Sequence, residues 1–170
     1  VLSVILASVL WNYYMDIRSE SASEEWRALN NAMTQAGLTN DVSSLKDMAG
    51  DFEGQAAGNW ALLAAGDNEF NRGVDKLADD RVGGLKLIKQ GLESIQKVVD
   101  APAASKTTMV QRRSLFLAAQ AQEALGEFEI AKGHYEAILE AAPDSPFADA
   151  AERGIARCSN PELAAVYKEF

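Results

Sequence analysis

The chain has 170 residues, 24% charged and 48% hydrophobic, with a formal net charge of −9. That length supports one domain with a sizeable core and is too short for two comfortable ones. The acidity argues against a nucleic-acid surface, which needs clustered Lys and Arg to displace counterions. A single cysteine, Cys158, excludes an intramolecular disulfide.

Ala and Leu recur at helical spacing, and no Val/Ile/Thr-rich alternating run is bounded by turn residues, so an all-α fold is expected. Residues 1–85 hold 13 acidic and 6 basic side chains, against 12 and 10 in residues 86–170. The excess negative charge therefore sits in the N-terminal half, where it reads as a solvated face or an acidic docking surface.

Val1 to Leu10 is uncharged and strongly apolar, and Trp11, Tyr13 and Tyr14 follow it. A spanning helix needs about 20 apolar residues. The chain opens on Val rather than Met, so more apolar residues are expected upstream. The aromatic cluster suits a membrane interface. Residues 1–15 are thus expected to be the C-terminal part of a transmembrane anchor; a signal-peptide hydrophobic region and a buried core helix are the alternatives. Asp16, Glu20, Glu24 and Glu25 beyond the run, against only Arg18 and Arg27, argue for a non-cytoplasmic flank.

Residues 16–170 are expected to form one helical domain. Its first helix carries Trp26, Leu29, Met33 and Ala36 on an apolar stripe and is expected to end at Gly37. Trp26, Leu29 and Met33 either pack on the next helices or form a seam for a second copy or another membrane protein. Thr39 to Ser44 reads as a polar turn, and a short helix is expected from about Leu45 to Phe52. A further helix starts near Trp60, Leu63 and Ala64. Asp67 to Asp80 is polar enough to read as its frayed end plus an insertion. A long helix over about 81–100 carries Leu85, Ile88, Leu92, Ile95 and Val99 on one face, and Ser105 to Thr108 read as the cap of the next.

Leu115 to Pro143 reads as two short helices broken at Gly126. Leu115, Ala118 and Ala119 lie on the first; Phe128, Ala131, Tyr135, Ile138 and Leu139 lie on the second. After Pro143, Ser145 and Pro146 are expected to start another helix, whose inner face is Phe147, Ala151, Ile155 and Cys158. A last helix is capped by Asn160, with Pro161 in its first turn and Leu163, Val166, Tyr167 and Phe170 inward.

This pattern of small residues at helix crossings with large ones beside them resembles a tetratricopeptide (TPR) repeat, best over residues 112–145. The wider layout resembles single-pass bacterial membrane proteins with a YfgM-like TPR domain, related to the ancillary subunit of the Sec translocon. The anchor leading to Trp26, the Trp60 helix, the extended turn before Arg81, the block from Glu123 to Cys158 and the closing NPELAAVYKEF carry that resemblance. It implies a TPR-like stack of antiparallel helical hairpins on an N-terminal membrane helix. It also implies attachment to the bacterial inner membrane, with the helical domain on the periplasmic side and membrane or translocating proteins as partners. The repeat puts Arg113, Phe116, Leu117, Gln120 and Glu123 toward a groove. That set is mostly apolar and neutral, so it suits an apolar segment or partner helix better than a C-terminal carboxylate.

A search for chemistry finds little. One His and one Cys cannot make the usual metal sets, so neither metal nor cofactor is expected. Asp67, Glu69 and Asn71 lack the Gly and terminal Glu of a calcium loop. Cys158 with His134 would need adjacency and an activating environment to act as a nucleophile pair. Gly83, Gly84 and Gly91 lack a phosphate-loop ending. The expected function is a membrane-anchored, non-enzymatic protein-interaction module. A chaperone-like translocon accessory, a fixed subunit of a membrane complex and a self-assembling homo-oligomeric scaffold all remain open, with an enzyme as the contrasting class.

Overall fold

The computed structural model describes residues 23–102 and 108–169, and all regular structure within them is helical. The apolar run, with Trp11, Tyr13 and Tyr14, lies outside the described residues, as does Ser105. Among the described residues no helix is long and apolar enough to cross a membrane. The helices are α1 (23–39), α2 (Ser43–Asp51), α3 (Ala56–Lys76), α4 (Arg81–Asp100), α5 (Thr108–Ala124), α6 (Phe128–Ala141), α7 (Ala148–Cys158) and α8 (Pro161–Glu169). From α2 to α8 each packs on its successor. The alternate helices α3 and α5 also touch, as do α5 and α7.

Several ends follow from local chemistry. Helix α1 runs past Gly37 and stops at Asn40, whose φ of 54° is the left-handed conformation that Asn tolerates. The Asn40 N–H donates to the Ala36 carbonyl at 2.9 Å. Gly126 plays the same part between α5 and α6, with φ 78°. Asp80 caps α4 by accepting from the Gly83 N–H at 2.9 Å, and Asn160 caps α8 by accepting from the Glu162 N–H at 2.9 Å. Ser145 does not cap α7. It lies with Pro146 in the preceding turn, and Phe147 takes the N-cap position without a side-chain bond.

The largest departure from the sequence expectation is α3. Residues 67–76 are neither frayed nor inserted; the helix continues to Lys76, leaving only 77–80 as the turn. The segment is polar because most of one face is solvated. At helical spacing it still carries Glu69, Phe70 and Gly73 inward, all buried.

The inward glycines set the spacing of α3 and α4. Gly66 lies against Gly91, and Gly73 against Gly84, seven residues apart on each helix of an antiparallel pair. A Cβ on Gly91 would stand 2.6 Å from the Gly66 carbonyl oxygen, and one on Gly73 would stand 2.8 Å from the Gly84 oxygen. The two backbones therefore touch directly, and Ile88 and Ile95 fill the gaps beside them, both fully buried.

The core falls into clusters along the stack. Leu29, Ala32 and Ala36 of α1 meet Leu45, Met48, Ala57, Ala61 and Ala65 of α2 and α3. Leu63, Ile95, Val98, Val110 and Leu117 join α3, α4 and α5. Ala119, Phe128, Ala131, Tyr135, Ile138, Ala151 and Cys158 close α5 to α7. Tyr135 is wholly buried and lies against the backbone face at Gly154, where no side chain fits. In α8, Leu163 is half-buried, while Val166 and Tyr167 are 47% and 42% exposed, so the expected inward face is only partly covered.

Candidate functional site

The five α5 residues expected to share a groove do not share one. Leu117 is buried among Leu63, Ile95 and Val98, because α5 is covered by α3 and α4 on that side as well as by α6 on the other. It is a core residue. Phe116 is half-buried, its ring 6.0 Å from that of Tyr135 and 5.4 Å from that of Phe147. Gln120 is also half-buried.

Glu123 sits at the centre of a polar clamp. It accepts from the Tyr135 hydroxyl at 3.0 Å and, bidentately, from Arg157 at 2.6 and 2.9 Å. Its side chain is 15% exposed, whereas that of Arg157 is 49% exposed. The clamp ties α5, α6 and α7 together at one level. Burial, then the Glu123 charge and hydrogen bond, push the Tyr135 phenol above its ordinary range. Hydrogen bonding to Glu123 raises Arg157. The clamp holds these three helices together, with Arg157 on its exposed side.

Arg113, nearer the start of α5, reaches α3 instead. Its guanidinium meets Asp67 of α3 at 2.8 Å, and the other Asp67 oxygen accepts from the Asn71 amide at 2.9 Å. These residues edge a cavity of about 310 Å³ where α1, α3 and α5 converge, lined by Met33, Trp60, Leu63, Ala64, Asp67, Asn68, Asn71 and Arg113. The floor and one wall are apolar, through Met33, Trp60 and Leu63. The other wall is amide and ion pair. The Asn68 Oδ1, behind this wall, is buried without a hydrogen-bond partner.

The α1 residues also divide. Leu29 is 5% exposed and belongs to the core, while Trp26 and Met33 are 46% and 50% exposed. The inward stripe of α1 is Leu29, Ala32 and Ala36, whose short side chains bring the helix close to α2 and α3. Trp26 and Met33, seven residues apart, fall one step off that stripe. They form an apolar ridge that ends at the mouth of the cavity. One residue from each of two separately read sets, Met33 and Arg113, thus meets in a single place. Sequence reasoning missed Asp67, Asn68 and Asn71 as cavity residues. Their spacing from Trp60 and Ala64 puts all five on one helical face, a signal hidden by reading 67–80 as a loop.

Among the described residues, no group of three or more His, Cys, Asp or Glu could hold a metal ion. Asp67, Glu69 and Asn71 lie on a helix; the Asp67 and Glu69 carboxylates are directed to Arg113 and Lys46, the latter at 2.6 Å. Burial pushes the Cys158 thiol up and the His134 imidazole down, so each is held in its neutral form. No protein-family model matches the chain, and neither the curated proteins nor the solved structures give a match.

Proposed function

We propose that the chain is a membrane-anchored, non-enzymatic interaction module whose helices stack in the TPR manner and which grips a protein partner where α1, α3 and α5 converge. The observation that carries this reading is the convergence itself. Three alternate helices contribute to one cavity, beside an exposed Trp26–Met33 ridge that the rest of the described chain leaves uncovered. An apolar recess with a few convergent polar groups suits a partner helix or extended segment. The contacts α3–α5 and α5–α7 support a repeat stack, in which alternate helices line a common face. The apolar run ending in Trp11, Tyr13 and Tyr14 supports a tether, and the acidic flank after it supports a non-cytoplasmic, periplasm-side domain. The partner is then a membrane protein or a chain in transit across the membrane.

The test is to extract the tagged full-length protein in mild detergent, crosslink, and identify what co-purifies and in what ratio. A small set of membrane proteins at fixed stoichiometry is expected of a permanent subunit, and a broad set of exported chains is expected of a chaperone. Either result should fall at least tenfold in a Trp60→Ala/Arg113→Glu variant, since aromatic and Arg anchors dominate such interfaces. Recovery of the protein alone would sink the reading.

A further inference from the structure

A second recess shares no lining residue with the α1–α3–α5 cavity. Two adjoining cavities, of about 530 and 550 Å³, share Leu85 of α4. The first runs over Leu77, Leu125 and Tyr167, where the α3–α4 turn, the end of α5 and α8 meet. The second follows α4 past Val82, Lys86 and Lys89. Together they make one groove with an apolar floor. Val82 is 81% exposed on it and extends its apolar surface.

The electrostatics of this groove run against those of the chain. The two cavities are lined by three cations, Arg81, Lys86 and Lys89, and one acid, Glu93, in a chain with 25 acidic and 16 basic residues. Val82, Leu85, Lys86 and Lys89 fall at i, i+3, i+4 and i+7, so the apolar and cationic groups share one face of α4. No ion pair among the described residues uses Lys86 or Lys89.

From this charge pattern we infer that the α4 groove is a second docking site, and that its occupant is an acidic amphipathic helix of a partner protein. The apolar floor takes the helix's apolar stripe, and Lys86 and Lys89 meet carboxylates on its flank. Leu77, Leu85 and Leu125 lie in a recess between elements rather than on a single helix face, which favours a helix over an anionic lipid surface.

The probe is a synthetic helix with Leu at i, i+3, i+4 and i+7 and Glu on both flanks, set against a twin with Lys in place of Glu. Fluorescence anisotropy with the full chain in detergent should show the Glu helix binding and the Lys twin not. A Lys86→Glu/Lys89→Glu variant should weaken the Glu helix about tenfold, as should Val82→Glu; added salt should weaken it too. Both changes are at exposed positions, so circular dichroism should show the fold retained. The Trp60→Ala/Arg113→Glu variant should bind the Glu helix normally, which separates this site from the α1–α3–α5 cavity. Equal binding of both helices, or unchanged affinity in the lysine variant, would overturn the proposal. So would phosphatidylglycerol vesicles binding through Lys86 and Lys89 while the Glu helix does not bind.

Discussion

Replacing Gly91 with Ala should destabilise the chain by about 2 kcal/mol, although the same change at Gly133 should stabilise it. In a helix interior Ala is ordinarily favoured over Gly by about 1 kcal/mol. Gly133 meets nothing within 4 Å, so it should show that gain. A Cβ at Gly91 would stand 2.6 Å from the Gly66 oxygen and 2.9 Å from the Phe70 nitrogen. Both are backbone atoms, and neither can yield without α3 and α4 moving apart, which would open voids around Ile88 and Ile95. Overpacking of this kind costs roughly 1–3 kcal/mol and sometimes more, enough to reverse the propensity gain. For a chain of this size the expected fall in Tm is about 4–8 °C, read by thermal circular dichroism. The Gly66→Ala/Gly91→Ala double variant should lose less than the sum of its singles, because one separation relieves both clashes. A Gly91→Ala protein as stable as the wild type would mean that the helices do not touch as described.

The Glu123 clamp yields the second large effect. Glu123→Ala strands the hydroxyl of a fully buried Tyr135, at about 2 kcal/mol. Tyr135→Phe removes donor and need together and leaves Arg157 on Glu123, so about 1 kcal/mol or less is expected. Arg157→Ala should also stay small, since its side chain is half exposed and screened. The order Glu123→Ala first, the other two well behind, is checked by urea unfolding. Equal losses from all three would contradict it, and a loss of partner binding without any loss of stability would return Glu123 to the groove.

The clamp also carries a pH signature. The folded state holds the Tyr135 proton more tightly than the unfolded chain does, chiefly through burial. That contribution is complete below the ordinary tyrosine pKa and is lost as pH rises above it. Burial of Cys158 acts in the same direction from the ordinary thiol range upward. Tyr135→Phe should therefore flatten, without abolishing, the alkaline loss of stability.

How much of this was legible in the sequence depends on which neighbours decide each position. The α5–α6–α7 block was readable because Ala118, Ala119, Ala131, Tyr135 and Ile138 are buried by local, periodic packing, and all are buried in the structure. The bounds of α4 were readable for the same reason. The glycine contact was written as two pairs seven residues apart, Gly66/Gly73 and Gly84/Gly91, but its meaning appears only when two helices are laid antiparallel. Composition misled at α3, where a solvated face looked like a loop. Leu117 misled because helical periodicity gives a face and not what covers it. Trp26, Leu29 and Met33 shared one apolar stripe in sequence, yet a shift of one step separates the core residue from the exposed ridge.

The most direct test of the central claim places a photo-crosslinking residue at Met33, at the mouth of the α1–α3–α5 cavity, and a control at Gly133. With the full-length protein in its native cells, Met33 should give one or a few discrete protein adducts, lost in the Trp60→Ala/Arg113→Glu variant, while Gly133 gives none of them. The same adduct pattern from both positions, or none from Met33, would contradict a partner grip at this cavity.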